Sequence, residues 1–158
     1  MDEIVIRQAY RDDAQAIHEL HTRSVMELCK SYYSDAQIHG WIDHRTPEGY
    51  YSPIDQGTYF VAIIDSQIVG FGVAVPGEVL GLFVSPDHVN RGIGTMLLDH
   101  AMKTASQNEK VSLESTLNAV SFYIKNGFVR VERRTIRRGN VNLPVVLMNY
   151  DSISQIGS

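Results

Sequence analysis

The chain has 158 residues, of which 44% are hydrophobic, and a formal net charge of −4; this length and composition suit one domain over residues 1–158. No apolar run approaches the roughly 20 residues of a membrane-spanning helix, and Met1-Asp2-Glu3-Ile4 lacks the basic start of a signal peptide. The acidic balance disfavours nucleic acid as a partner. The single cysteine, Cys29, excludes an internal disulfide, so we expect a cytoplasmic protein.

The first quarter of the chain predicts one strand and two capped helices. Residues 4–9 form a β-rich run. Asp12 is followed three residues later by Gln15, which is the spacing of a capping box at a helix start. Ser34 and Gln37 repeat this signal, so a second helix is expected to begin there.

Strands dominate the rest of the chain. Residues 46–57 hold two prolines and two glycines and predict a loop or a broken helix. The later predicted elements are a hairpin of strands 58–64 and 67–75, a strand over 79–84, a helix over 94–107, a strand over 111–115, a helix from Asn118, and a hairpin of strands 128–137 and 143–149. This order predicts an α/β (α+β) fold with a mixed, twisted sheet of about seven strands flanked by helices.

Residues 84–98 carry the most specific signal. A buried strand stops at Pro86, a short polar loop follows, and Gly92 and Gly94 open an amphipathic helix. Amides at a helix start have no partner within the helix, and the helix dipole favours anions there. Glycines let a phosphate approach the backbone because they have no Cβ, and Arg91 adds positive charge. The segment therefore predicts a phosphate-binding loop.

Two common nucleotide motifs do not fit this loop, whereas a second motif accompanies it. A dinucleotide fingerprint requires glycine where Leu97 stands, and a triphosphate loop requires a Gly-Lys-Ser or Gly-Lys-Thr sequence that the chain lacks. The second motif is NAVSFYIKNGF, residues 118–128. It predicts a short helix closed by Gly127 in a left-handed cap, with Phe128 as the hydrophobic contact of that cap.

Together the two motifs resemble the GNAT superfamily of acetyl-CoA-dependent N-acetyltransferases. One family hallmark is a strand ending in V-x-P, followed by the motif [Q/R]-x-x-G-x-[G/A] and a helix. The other is N-x-x-A-x-x-F-Y-x-x-x-G-F or a close variant. Residues 91–94 and 118–128 fit these hallmarks, whereas Val89 occupies the usual Gln or Arg position. The element order predicted above is also the order that the resemblance implies.

The resemblance implies a cosubstrate site between two splayed strands. Acetyl-CoA would lie in the gap between residues 79–84 and 111–115 and leave as coenzyme A. Its pantetheine arm would pair with the first of these strands at Leu82, Phe83 and Val84. Its pyrophosphate would rest on loop residues Val89, Asn90, Arg91, Gly92, Ile93, Gly94 and Thr95.

The resemblance also implies catalytic roles. Tyr123 would protonate the departing thiolate, since a phenol with a pKa of about 10 keeps its proton at neutral pH; the alternative is a core aromatic residue. Asn118 would contact the cosubstrate, although its residue type also suits a helix N-cap. Glu78 is the candidate base for the amine. A solvated turn residue is the alternative for Glu78, and Glu114 is a second carboxylate near the cleft.

Other residues carry weaker signals. Tyr32, Tyr33 and Trp41 lie in the region that would line the acceptor pocket, but they suit helix packing equally. His18 and His21 are three residues apart rather than four, so we expect an exposed helix face and no metal site. Five arginines in the last hairpin predict a solvated, charge-protected strand: Arg130, Arg133, Arg134, Arg137 and Arg138.

The predicted activity is transfer of an acetyl group from acetyl-CoA to the primary amine of a small-molecule or peptide acceptor, by direct attack in a ternary complex. The alternative is a non-catalytic acyl-CoA-binding sensor, which would bind coenzyme A without releasing thiol from acetyl-CoA. Frequent dimerisation in the family leaves a homodimer open. Neither nucleic acid nor a membrane is expected as a partner.

Overall fold

The computed structural model describes residues 3–151, in which a seven-stranded sheet carries helices on both faces. The strands are β1 (Val5–Gln8), β2 (Tyr59–Ile64), β3 (Gln67–Val75), β4 (Glu78–Val84), β5 (Ser112–Ser115), β6 (Phe128–Arg138) and β7 (Val141–Tyr150). The helices are α1 (Ala14–Leu28), α2 (Asp35–Ile42), α3 (Tyr51–Asp55), α4 (Ile93–Ala105) and α5 (Val120–Lys125). None of these helices is long and apolar enough to span a membrane. The predicted fold class is confirmed, while the predicted domain, residues 1–158, extends past the described residues at both ends.

The sheet opens in its middle. Its strand order is β1-β2-β3-β4-β5-β7-β6, and every neighbouring pair is antiparallel except β4 and β5. These two parallel strands are matched at one position, Glu78 against Ser112. By contrast, β4 pairs with β3 along its length, and β5 pairs with β7 at all four residues. Strand β4 therefore stays paired with β3, and β5 stays paired with β7, so that the carboxyl ends of β4 and β5 separate.

A β-bulge at Leu80 accompanies this separation. Val73 of β3 is matched with Gly81 of β4. The next residue of β3, Ala74, is matched with Val79, so that Leu80 has no partner between them. A bulge bends its strand and increases the local twist. The bend therefore falls two residues after the one matched pair between β4 and β5.

The two faces of the sheet bury separate sets of apolar residues. In β2, Phe60 and Ala62 pack with α4 and α5, whereas Val61 between them packs with α1 and α3. This is the alternation expected of a strand, whose successive side chains point to opposite faces. A third cluster, including Val25, Trp41 and residues of β7, fixes α2 against the last hairpin.

One predicted helix start is wrong. The chain enters α1 through a 3-10 turn, and the amide of Tyr10 donates to Asp13 Oδ2 at 2.7 Å. Asp13, rather than Asp12, therefore satisfies the open amide there. The side chain of Gln15 points along the helix and donates to Glu19 Oε1 at 2.7 Å. The capping-box spacing selected Asp12, because Gln15 follows it by three residues, whereas the fold turns the neighbouring Asp13 toward the Tyr10 amide.

Three other local predictions are confirmed. The Gln37 amide donates to Ser34 Oγ at 3.1 Å, and the Ser34 amide donates to Gln37 Oε1 at 2.9 Å, which forms the expected capping box. Residues 46–57 contain a 3-10 turn, Pro47–Tyr50, followed by α3, which is a broken helix. Strand β6 lies at the edge of the sheet, and its five arginines are exposed. Such charges discourage pairing with another chain.

Candidate active site

A cavity of about 440 Å³ lies where β4 and β5 separate. Its walls include β4 from Leu80 to Phe83, the end of β5, and Tyr123 of α5. It continues to His21 of α1 and Trp41 of α2. A larger groove, of about 580 Å³, lies between α1 and the β2–β3 turn, and none of the predicted site residues lines it. The smaller cavity is therefore the candidate site.

The loop between β4 and α4 leaves backbone donors open. Asn90 and Gly92 have left-handed φ angles of 62° and 81°. A Cβ on Gly92 would have no atom within 4 Å, so this glycine faces open space. The Met96 amide donates to the Gly92 carbonyl at 3.1 Å. The amides of residues 90–95 come before this bond and have no partner within the helix.

The other residues of the loop differ in their surroundings. A Cβ on Gly94 would lie 3.2 Å from the Phe122 ring, so glycine at this position allows α4 to pack closely against α5. Ile93 is 1% exposed and belongs to the core, so only its backbone is available. The exposed members of the loop are Val89, Asn90, Arg91, Gly92 and Thr95. The glycine at position 92 thus leaves room for a phosphate to approach the backbone, whereas the glycine at position 94 is explained by packing against α5.

Tyr123 lies in the wall of the cavity. Its ring packs against Phe122 and Phe128, with centroids 5.2 Å and 5.7 Å away. The side chain is buried, and burial raises the pKa of its hydroxyl above the ordinary value. Within residues 3–151 the hydroxyl has no hydrogen-bond partner. Tyr123 therefore presents a protonated phenol whose hydrogen no group within this range accepts.

Asn118 does not cap a helix. It lies inside a 3-10 turn, Leu117–Ala119, that follows Thr116 and leads into α5. Its Oδ1 accepts a hydrogen bond from the Sγ of Cys29 at 3.4 Å. Burial raises the pKa of this thiol to about 12, so Cys29 stays protonated and able to donate. The alternative role of Asn118 as an N-cap is therefore wrong, because the chain reaches the helix through a tighter turn.

Two carboxylates lie near the base of the cleft. Glu78 is half-buried at the one matched position between β4 and β5. Burial raises the pKa of Glu78, the negative charge of Glu114 raises it further, and Arg138 opposes both effects. Glu114 lines the cavity and lies 3.8 Å from Arg134, whereas Glu78 does not line it.

The three aromatic residues predicted to line an acceptor pocket have different positions. Trp41 lines the cavity. Tyr33 is 4% exposed, and its hydroxyl donates to the Pro144 carbonyl at 2.6 Å and accepts from the Leu117 amide at 3.0 Å. Tyr32 is 54% exposed and does not line the cavity. The cavity walls thus support a substrate contact for Trp41 alone among the three.

His21 corrects the expectation of an exposed helix face. The residue is 4% exposed, lines the cavity, and packs its ring 4.3 Å from the ring of Phe83. The signal was present in the spacing, since His21 lies four residues after Ile17 and four before Val25, on the buried stripe of α1. Arg45, another lining residue, follows α2 without any motif. No group of metal-ligating side chains occurs in the described range.

The buried His21 predicts a loss of stability in acid. Burial, together with the charges of Arg45 and His18, lowers the pKa of His21 from 6.5 to about 3. The unfolded chain therefore binds a proton that the folded chain does not, and the free energy of unfolding should fall as pH drops from 6.5 toward 3. Urea unfolding at several pH values measures this slope. His21→Leu should flatten the slope, whereas the exposed control His44→Leu should keep it; an unchanged slope in His21→Leu contradicts the assignment.

Comparisons with known proteins agree with this architecture. The model of the acetyltransferase (GNAT) domain family matches residues 29–148. The peptidyl-lysine N-acetyltransferase YjaB of Salmonella typhimurium is 31% identical over 150 residues, which cover 92% of this chain and 96% of that protein.

Solved structures share the fold. A GCN5-related N-acetyltransferase from Rhodopseudomonas palustris superposes with a TM-score of 0.88 at 24% identity, covering 96% of this chain and 97% of that one. The PaiA N-acetyltransferase of Thermoplasma acidophilum, in complex with coenzyme A, gives 0.76 at 24% identity and covers 94% and 99%. With a family match over most of its length and a relative above 30% identity, the chain belongs to the GNAT acetyltransferase family.

Proposed function

We propose that the chain transfers the acetyl group of acetyl-CoA to a primary amine by direct attack within a ternary complex. The observation that carries this proposal is the cavity between the separated strands β4 and β5, which Tyr123 lines. The open helix start of α4 follows β4 along the chain. The related PaiA protein binds coenzyme A, which supports the choice of cosubstrate.

The residues of the loop and of β4 suit the two ends of that cosubstrate. The open amides of residues 90–95 would donate hydrogen bonds to the pyrophosphate at the positive end of the α4 dipole, and Arg91 adds positive charge. On the cleft side, β4 has no ladder partner beyond Glu78, so its backbone groups from Leu82 to Val84 are available to a pantetheine arm. Acetyl-CoA supplies a thioester, and the amine attacks its carbonyl carbon.

In this transfer the protein donates a proton to the leaving group and removes one from the amine. As the new nitrogen–carbon bond forms and the carbon–sulfur bond breaks, the sulfur leaves as a thiolate that requires a proton. Tyr123 is suited to donate it, because its raised pKa keeps the phenol protonated and no acceptor among the described residues competes for the hydrogen. The proton lost by the amine goes to a base, for which Glu78 and Glu114 are the candidates.

The pH dependence of the rate distinguishes these two carboxylates. If Glu78 is the base, Glu78→Gln should remove the acidic limb of the kcat/KM profile. Glu114→Gln should move that limb to lower pH, because it removes the neighbouring negative charge that raises the pKa of Glu78. A Glu78→Gln variant with an unchanged profile excludes Glu78 and leaves Glu114 as the candidate.

Thiol release from acetyl-CoA in the presence of amines tests the proposal. The panel should contain small amines and a lysine-containing peptide, since the relative YjaB is a peptidyl-lysine N-acetyltransferase. The proposal predicts thiol release that requires an amine and rises with its concentration. Binding of coenzyme A with no release for any amine would instead support a non-catalytic sensor.

A further inference from the structure

Two polar groups on one side of the cavity have no partner within residues 3–151. This side, which we call the acceptor side, is bordered by α1, α2 and residues 45–59. The two groups are Nε2 of His21 and Nε of Arg45, and both atoms are buried. Buried polar groups in folded proteins are nearly always hydrogen-bonded. Two unpartnered groups on residues that line a cavity therefore point to a ligand that satisfies them.

Tyr50 determines which kind of ligand group matches His21. The Tyr50 hydroxyl lies 2.8 Å from Nδ1 of His21 and beside the guanidinium of Arg45. Because arginine can only donate, it uses a lone pair of the Tyr50 oxygen, and we therefore assign the hydroxyl hydrogen to Nδ1 of His21. The neutral imidazole then carries its own hydrogen on Nε2. Both open groups are therefore donors, and the matching ligand group is an acceptor.

The charges around the cavity indicate that this hydrogen-bond-accepting group of the ligand is an anion. Arg45 forms no ion pair with any Asp or Glu in the described part of the chain. Among the cavity walls that are described, the acidic residue is Glu114, which is paired with Arg134 on the far side of the cavity. Stacked rings of Phe71 and Phe83, 5.0 Å apart, provide an apolar surface between the two sides.

We propose that the acetyl acceptor is a primary amine that carries a carboxylate, which Arg45 and His21 bind while the amine faces Tyr123. This inference deepens the proposed acetyl transfer and rests on it. Arg45 lies near Tyr59 of β2, whereas Glu114 is on β5, three strands away in the sheet. Since neighbouring strands are about 4.8 Å apart, the acceptor should separate its amine and carboxylate by several bonds.

Matched pairs of ligands test this proposal without requiring turnover. Calorimetric titrations of the free and the coenzyme A-saturated protein would compare γ-aminobutyrate and ε-aminocaproate with their amides. Each acid should bind about tenfold to a hundredfold more tightly than its amide, because the amide loses charge-assisted hydrogen bonds. Arg45→Gln should remove this preference. Arg138→Gln, which changes an exposed arginine of the same cavity, should retain it.

The His21 ring gives a second readout. Proton–nitrogen correlation spectra should identify hydrogen on Nε2, and the acids but not the amides should shift that signal. Equal affinity for acid and amide, or a preference that survives Arg45→Gln, overturns the proposal. Tighter binding of aminopropylphosphonate than of γ-aminobutyrate overturns the choice of carboxylate. Absence of thiol release with every amine overturns the proposed function instead, and the titrations still decide the carboxylate site.

Discussion

Tyr123→Phe is expected to lower kcat about a hundredfold to a thousandfold while the affinity for coenzyme A stays unchanged. The substitution removes the hydroxyl and keeps the ring, so the contacts with Phe122 and Phe128 remain. The hydroxyl has no partner elsewhere in residues 3–151, and its loss therefore breaks no hydrogen bond within that range. The thiolate, however, would leave without a proton donor. Steady-state thiol release and calorimetry with coenzyme A measure the two quantities separately.

A matched control is available at Tyr150. Its ring also packs against Phe128, with centroids 5.3 Å apart, but it does not line the cavity. Tyr150→Phe should leave both kcat and coenzyme A affinity unchanged. Wild-type turnover in Tyr123→Phe would contradict the general-acid role. Equal losses in the two variants would indicate that packing around Phe128, rather than proton donation, sets the rate.

Gly92→Val is expected to weaken coenzyme A binding about a hundredfold. A residue with a Cβ would let the free loop relax out of the left-handed φ of 81°, and binding would have to restore this conformation at a cost of about 1–2 kcal/mol, or roughly tenfold. The side chain would also occupy the open space in front of the loop amides, and a lost phosphate contact is worth about another tenfold. Equilibrium dialysis with coenzyme A measures the combined effect.

Gly57→Val separates backbone strain from obstruction. Gly57 has a similar φ of 79°, and a Cβ there would meet only the end of the Gln8 side chain, 2.8 Å away. The variant should lose stability, as measured by its melting temperature, and still bind coenzyme A like the wild type. Normal binding in Gly92→Val would show that the phosphates do not rest on this loop.

Local patterns were sufficient to predict most of the fold. The Ser34–Gln37 cap, the turn at Asp65-Ser66 and the left-handed Gly127 each depend on a few neighbouring residues, and each occurs where expected. The open loop at Gly92 was predictable for the same reason. At Asp12 the local pattern was misleading, because the orientation of the chain places Asp13 against the Tyr10 amide instead.

The shape of the site depends on contacts between distant parts of the chain. The separation of β4 and β5 requires β5 to pair with β7, which lies about thirty residues later, and no local motif contains that preference. The neighbours of His21 come from β3, β4 and the segment after α2. The spacing along α1 indicated its burial, but only these partners explain why a polar ring is tolerated there.

Calorimetric titration of the protein with coenzyme A and with ADP tests the central claim most directly. The claim is that the gap between β4 and β5 holds the pantetheine arm while the α4 loop holds the pyrophosphate. It predicts that coenzyme A binds and that ADP, which lacks the arm, binds at least about tenfold more weakly. No heat with millimolar coenzyme A, or equal affinity for the two ligands, would contradict it.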